Sequence, residues 1–464
     1  MLRKNQLFWH WSDLPPSGVN FDDFVLDPVG RCLRRDGVGV LDVEPTDLAV
    51  LVFLASRPNE ALGKNEIAVN IWPRDDPEDR HQSIRTTLSK LKYILGPADP
   101  VVRNVRHHGY RFDLNDHPPR PSLLPRGIVM RLQEADDAFR RRTGASVRQA
   151  LKLYREAIDL DPQCIRGHLG VAACITVGCH VGFAIFSPAK HLAEAYRAGK
   201  AAFSLAVAAQ DTPSLAKANT KLALLHMLYE FDFVKAQRLL EDAVHLDRWN
   251  AETHQYLAHL YLATNRWSEA KNEIEFARNC PLANAMIHCT HGWLLHFMRQ
   301  PNAVRECEEA SNVHDEFARG HMMLGWAYEG AGQLEFAERE FLKGMKDPTV
   351  KVTGQASLGH LYALAGRKPE ARAQLKELQL LAKKRHVSPY FLALVHVGLG
   401  DSEKAIRCLQ EAYREKCDWL IHAGVEPRWD PLRSSEDFKG LLAAIGLLPL
   451  TGCSDARGTL NSND

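Results

Sequence analysis

Apolar and polar positions along the chain follow two rhythms, which change over near residue 116. Before that point, "FDDFVLDPVGRCLRRDGVGVLD" alternates short extended runs with turn signals at Pro28-Val29-Gly30 and Asp36-Gly37, predicting strands. Three helix-period stretches follow. Glu44 to Pro58 has proline near its start and carries Leu48, Leu51, Val52 and Ala55 on one face. Gly63 to Pro73 predicts a short second helix stopped by its proline. In the third, Glu78 to Gly96, residues Ile84, Leu88, Leu91 and Leu95 recur at i, i+4, i+7 and i+11 and form the buried stripe. Gln82, Arg85, Thr86, Ser89 and Lys90 then project away from the core. None of the five is acidic and each can donate a hydrogen bond. The block closes on "VRHHGYRF", Val105 to Phe112, where a β-branched run leads into a glycine and Tyr110 and Phe112 alternate with polar neighbours, the pattern of a hairpin with a basic tip.

Beyond "NDHPPRPSLLPRG", residues 115–127, whose four prolines hold a chain extended and mark a linker, nearly everything has helical period. Alanines at 236, 270, 303, 337, 371 and 405 are separated by 34, 33, 34, 34 and 34 residues. That is the length of a tetratricopeptide helix pair, in which a small residue lets the second helix lie against the first. Leu324 and Leu358 repeat at 34, and Gly332 and Gly366 stand where a helix ends in a left-handed residue. Counting back, Ala202 fits the array, whereas Ala150 lies 52 residues earlier, which predicts an insertion of about 18 residues near "GCHVGFAIFSP". The expected fold class is mostly α: a small α+β domain at 20–114, a linker at 115–127 and an α-solenoid with its cap at 128–446, with tails at 1–19 and 447–464.

Composition changes this picture little. At 464 residues, with 45% hydrophobic and 25% charged residues, the chain reads as globular and multidomain. Its net charge is +1, so affinity for a polyanion must come from a local patch. Residues 20–115 hold 13 Lys and Arg against 15 Asp and Glu, a net of −2, but Arg80 to Phe112 holds seven cations against Asp99, a net of +6. Positive charge is therefore concentrated on the third helix and the hairpin. The ten cysteines form no CxxC pair, and together with the absence of a signal-peptide pattern this predicts a cytoplasmic protein. Gly170 to Phe186 is uncharged over 17 residues but contains His180, three glycines and no leucine; it predicts a repeat helix with a glycine-rich turn, not a membrane span.

Strands, three helices and a basic hairpin stand in winged helix-turn-helix order. Residues 20–114 resemble the DNA-binding domain of the OmpR/PhoB class, carried by "LDVEPTDLAVLVFLASRPNEALGKNEIAVNIWP", "LSKLKYIL" and "VRNVRHHGYRF". The family's wing reads V-R-G-x-G-Y, and here His107 stands in place of the first glycine. About 20 residues precede the first strand, which leaves no room for a receiver domain. "YREKCDWLIHAGVEPRWDPLRSSEDFKGLLAAIGL", Tyr413 to Leu447, resembles the capping segment of bacterial tetratricopeptide regulators, with Trp419, Leu432, Phe438 and Leu441 as apolar plugs for the open end. A winged domain followed by such repeats resembles the HilA-type regulators; the membrane-anchored ToxR/CadC type would need a spanning helix.

The resemblance implies a transcriptional regulator that reads double-stranded promoter DNA; analogy with the HilA type suggests an activator and secretion or host-interaction genes as targets, while the residues leave activator and repressor both open. The DNA-binding residues it implies are Gln82, Ser83, Arg85, Thr86, Thr87, Ser89, Lys90 and Lys92 on the helix and Arg103, Arg106, His107, His108 and Arg111 on the hairpin. Arg106 lies along the backbone or minor groove, Gly109 permits the turn and Tyr110 anchors it. The repeats are expected to bind a protein, peptide or small effector on their concave inner face. RNA polymerase and a second copy of the chain are further partners to test. The alternative is a tetratricopeptide interaction scaffold whose winged domain does not read DNA. A catalytic role ranks third: no P-loop, GxSxG or HExxH occurs, "LGKNE" lacks the preceding glycine of a phosphate loop, and His288, Cys289, His291 and His296 do not complete a tetrahedral metal set. No cofactor or metal is expected.

Overall fold

The computed structural model describes residues 14–15, 18–28, 32–35, 39–41, 43–72, 77–95, 101–106, 108–116, 126–141, 143–180, 185–280, 285–313 and 317–447. His107 and most of the expected linker lie outside the described residues. The chain opens with an antiparallel sheet of four strands in sequence order, β1 (Val19–Phe21), β2 (Phe24–Asp27), β3 (Cys32–Arg35) and β4 (Gly39–Leu41). Then come α1 (Pro45–Ala55), β5 (Ala61–Leu62), α2 (Lys64–Ile71), α3 (Pro77–Leu95), β6 (Val102–Val105) and β7 (Gly109–Phe112), with β7 paired between β5 and β6. Ile84, Leu88, Leu91 and Leu95 are buried, so the stripe read from the sequence is the inner face of α3. They join Phe21, Leu26, Leu33, Leu51, Ile67 and Phe112 in a hydrophobic core whose buried members among the described residues fall between 14 and 112.

Antiparallel helix pairs follow: α4 (Arg126–Arg140) with α5 (Gly144–Leu160), α6 (Ile165–Cys179) with α7 (Pro188–Ala208), α8 (Thr212–Leu225) with α9 (Phe233–Leu246), and α10 (Ala251–Ala263) with α11 (Trp267–Asn279). The series continues through α12 (Ala285–Phe297) and α13 (Ala303–Val313), α14 (Ala318–Gly330) and α15 (Leu334–Gly344), α16 (Lys351–Leu364) and α17 (Lys368–Ala382), and α18 (Pro389–Gly398) and α19 (Ser402–Arg414), before a final α20 (Glu436–Ile445). The repeat alanines, with Ala150 and Ala202, are at most 5% exposed, which is what close approach of paired helices requires. The irregular stretch falls where expected. α6 ends at Cys179, a connection reaches Ser187, and α7 runs to 21 residues. Among the described residues no helix is long and apolar enough to cross a membrane.

The inner face of the array departs from expectation. α10 buries eleven of its thirteen residues, whereas its partner α11 buries three. The inner helices are covered on both sides because the segment after α19 does not simply cap the stack: it runs into the hollow. Trp419 meets the rings of Trp326 on α14 and of Tyr390 and Phe391 on α18 at 5.6 Å, and its indole N–H donates to His180 at the end of α6 (3.2 Å). Arg428 pairs with Glu426 (2.6 Å) and lies 5.2 Å over the Trp326 ring, and Trp429 packs on Tyr390. His422 shares a 3.0 Å hydrogen bond with His259 of α10, between Trp293 and Phe297 of α12. The hollow read as an open ligand groove is thus occupied by residues 417–432. The physical reason is apolar and aromatic: those residues bury their own rings against inner helices α10, α12, α14 and α18.

Burial pushes the His259 and His296 imidazoles down to about 4. Burial, followed by the fields of His259 and His180, pushes His422 well below the usual histidine range. All three fold neutral, while in the unfolded chain they titrate near 6.5. Below that pH the unfolded state binds more protons than the folded one, so stability present above pH 6.5 is lost progressively toward pH 4. Between pH 7.5 and pH 5 the loss is about 2 kcal/mol for a histidine shifted as far as His296. Urea midpoints at the two pH values measure it. His422→Asn, whatever it costs at pH 7.5, should flatten the dependence, and an undiminished acid loss in that variant would contradict the assignment.

Candidate nucleic-acid interface

Beneath the buried apolar stripe of α3 lies a buried carboxylate. Asp47, in the first turn of α1, is 3% exposed; it accepts the Thr87 hydroxyl at 2.7 Å and faces the Lys90 ammonium at 3.7 Å. Burial raises the Asp47 carboxyl above its ordinary range, and Lys90 and Thr87 pull it back. Two residues expected on the outer surface are therefore drawn inward. Thr87 is buried, its hydroxyl taken up by Asp47, because it lies next to Leu88 on the core side of the helix. Lys90 sits at the margin and is turned back to the same acid. With those two pointing inward, Gln82, Arg85, Thr86, Ser89 and Lys92 are exposed and Ser83 is half-buried.

Gly109 fixes the hairpin. The three residues 106–108 join Val105 to Gly109 across a register in which those two are partners, and His108 N–H donates to the Val105 carbonyl at 2.9 Å. Gly109 has φ +111°, and a Cβ there would collide with the Leu62 carbonyl of β5. Arg106 and His108 are exposed at the tip, and the His108 ring N–H donates to the Arg106 carbonyl at 2.9 Å. Tyr110 is half-buried against the core with the Lys64 ammonium 5.9 Å from its ring.

The charge count of this surface needs correction. Arg103 lies 3.4 Å from Asp113 and 3.0 Å from Asp116, and Arg111 is hydrogen-bonded to Asp113. The +6 segment ends one residue before its own neutralising acid. Among the described residues, Arg85, Lys92 and Arg106 are the candidates left exposed without an acidic partner, and they flank a polar stripe of Gln82, Thr86 and Ser89. Sequence reasoning missed Asp47, whose only signal is an acid inside an apolar helix, and Lys64, which was weighed only as part of a phosphate loop. The histidines of "HCTHGWLLH" diverge: His288 reaches Glu44 (3.2 Å), His291 packs on Arg278 and Glu306, and His296 is buried.

Two sheets flanking three helices, with a hairpin beside the third, meet their match in known proteins. Residues 39–112 fit the family model described as transcriptional regulatory protein, C terminal. The chain carries an OmpR/PhoB-type winged helix-turn-helix domain. Residues 227–276 and 352–377 match tetratricopeptide-repeat models. The transcriptional regulator HilA of Salmonella typhimurium is 29% identical over 108 residues, 22% of this chain and 19% of that protein. The transcriptional regulatory protein AfsQ1 of Streptomyces coelicolor is 27% identical over 99 residues, 20% of this chain and 43% of that one. The alignment thus spans about a fifth of HilA's length. Among solved structures, the Cut9–Hcn1 hetero-tetramer gives a TM-score of 0.45 at 13% identity, covering 86% of this chain and 62% of that one. A tetratricopeptide repeat protein from Parabacteroides merdae gives 0.39 at 14%, covering 56% and 93%.

For this winged domain, Thr87→Val should lower stability by about 1–3 kcal/mol, since it leaves Asp47 buried with one partner fewer. Native-state hydrogen exchange of α1 and α3 reads the loss. An unchanged exchange free energy would show that the Asp47 bond does not hold the helix.

Proposed function

We propose that the chain is a sequence-specific transcriptional regulator whose winged domain reads promoter DNA through α3 and the β6–β7 hairpin. The observation that carries this reading is the outward face of α3: Gln82, Thr86 and Ser89 at i, i+4 and i+7, flanked by Arg85 and Lys92, with no acid among them. Amide and hydroxyl groups on a helix face suit the donor and acceptor edges of the major groove, and the flanking cations suit phosphates. Arg106, at the hairpin tip, is placed for the backbone or a minor groove. Arg103, Arg111 and Lys90 act through internal ion pairs and shape the surface more than they touch DNA. Control of secretion or host-interaction genes, contacts with RNA polymerase and dimerisation on paired half-sites extend this reading by analogy with HilA.

The repeats supply regulation in this proposal. With residues 417–432 filling the hollow, a partner protein, peptide or effector would engage the outer helices and the edges of the array. The scaffold alternative, a winged domain that binds no DNA, is an outcome of the same experiment.

That experiment titrates full-length variants on an enriched duplex and on its scrambled counterpart at two salt concentrations. Gln82→Ala and Thr86→Ala should cost about 1–3 kcal/mol on the enriched duplex and much less on the scrambled one. Arg106→Ala should weaken both and lower the salt slope by about one unit. Equal loss on both duplexes for the helix variants, with a specific loss for Arg106→Ala, would reverse the two roles. No binding by the unaltered chain at low salt would support the scaffold.

A further inference from the structure

The exposed stripe of α3 does not stop at Ser89. Four residues on, Tyr93 continues it, so Gln82, Thr86, Ser89 and Tyr93 stand at i, i+4, i+7 and i+11. Tyr93 is engaged by the repeat array. Its hydroxyl donates to Asp247 at 2.6 Å, and its ring lies 5.9 Å from that of Trp249, which stacks on Phe276 of α11 at 5.4 Å. Burial, then the bond to Asp247, raises the Tyr93 hydroxyl pKa well above its usual range, so it remains a donor. The receiving surface is the turn between α9 and α10. Asp247 also accepts the Trp249 backbone N–H (3.2 Å), and the Arg248 guanidinium lies 5.9 Å from both the Trp249 and the Phe276 rings.

Three further contacts hold the winged domain to the array among the described residues: α4 runs beside β4, and two polar pairs reach across. Glu44, just before α1, meets His288 of α12 at 3.2 Å, and Arg34 of β3 meets Asp137 of α4 at 3.8 Å. The side-chain contacts named are polar or aromatic and lie near the surface; Trp249 stays 40% exposed. Among the described residues, the hydrophobic core of the winged domain draws on none beyond Leu114, and the cores of the array on none before 128. An interface without a shared core is one that can open.

We propose that the α9–α10 turn, through Asp247 and Trp249, is a docking surface for the DNA-reading face of α3, and that DNA and the array compete for it. This rests on the reading of α3 given above. The helix rises about 1.5 Å per residue, so Tyr93 lies only about 6 Å along the axis from Ser89. A major groove about 12 Å wide that received Gln82 to Ser89 would meet the α9–α10 turn at the next step, and would bring its phosphates toward the Asp247 carboxylate. The docked form therefore binds DNA poorly, and whatever loosens the array's grip raises the fraction able to bind.

The test uses the full chain with Trp249→Ala, His288→Ala and the double variant, all on the array and none on the DNA-reading surface. Affinity is measured for a 30-bp duplex enriched from a random pool, and hydrogen exchange of residues 90–95 and 245–256 is followed with and without that duplex. The account expects the double variant to bind on the order of tenfold more tightly. It also expects faster exchange at 245–256 when DNA is added to the unaltered chain, and exchange already fast there in the variant without DNA. Equal affinities would show that the contact does not compete, and weaker binding by the variants would show that the turn is an added DNA contact; either overturns the proposal. Failure of every chain, variants included, to bind the duplex would instead remove the DNA reading itself, and the competition with it.

Discussion

One left-handed residue and one small residue in each of the six helix pairs from α8 onward set the shape of that part of the repeat array. Phe231, Asn265, Arg299, Gly332, Gly366 and Gly400 all have φ between +56° and +82°, at spacings of 34, 34, 33, 34 and 34 residues. Each ends an inner helix and turns the chain so that the next helix can run back against it. Four or five residues later comes the buried alanine that makes the contact close. Because the same turn and the same approach recur, the rotation between pairs accumulates, and the inner helices face a common axis. An enclosed hollow lined with Trp293, Trp326, Phe297 and Tyr390 would be costly to hydrate, and residues 417–432 fill it with Trp419, His422 and Trp429.

In the winged domain the corresponding constraint is Asp47. A carboxylate inside a small core must find donors. It finds them on α3, in Thr87 and Lys90. Charge follows the same logic: Asp113 and Asp116 hold Arg103 and Arg111 in place, so the hairpin keeps Arg106 as its outward cation among the described residues.

Most of the architecture was legible in the sequence because it rests on periodicity. The alanine spacing located the pairs, the stripe from Ile84 to Leu95 gave the inner face of α3, and the interval from Ala150 to Ala202 placed the irregular pair. Gly332 and Gly366 of the left-handed series were read, and Asn265 is a residue type that tolerates that conformation, whereas Phe231 and Arg299 carry no local mark of it. Thr87 lies at i+3 from Ile84 and i−4 from Leu91, on the apolar face, and its hydroxyl needs the buried Asp47; Lys90 was misplaced because a helical wheel cannot show a buried acid on a neighbouring helix. The course of residues 417–432 was missed for a similar reason: their aromatic content fits a lid on the last pair as well as a plug in the hollow, and only the curvature of the whole array distinguishes them.

In the proposed function, α3 reads base edges in the major groove while the hairpin lies on the flanking backbone or minor groove. Methylation interference with the full chain on its enriched duplex tests it most directly. Methyl groups at guanine N7, in the major groove, should block binding within a short half-site, and methyl groups at adenine N3, in the minor groove, should interfere only beside it. Binding indifferent to N7 methylation, sensitive only to phosphate modification, would contradict it.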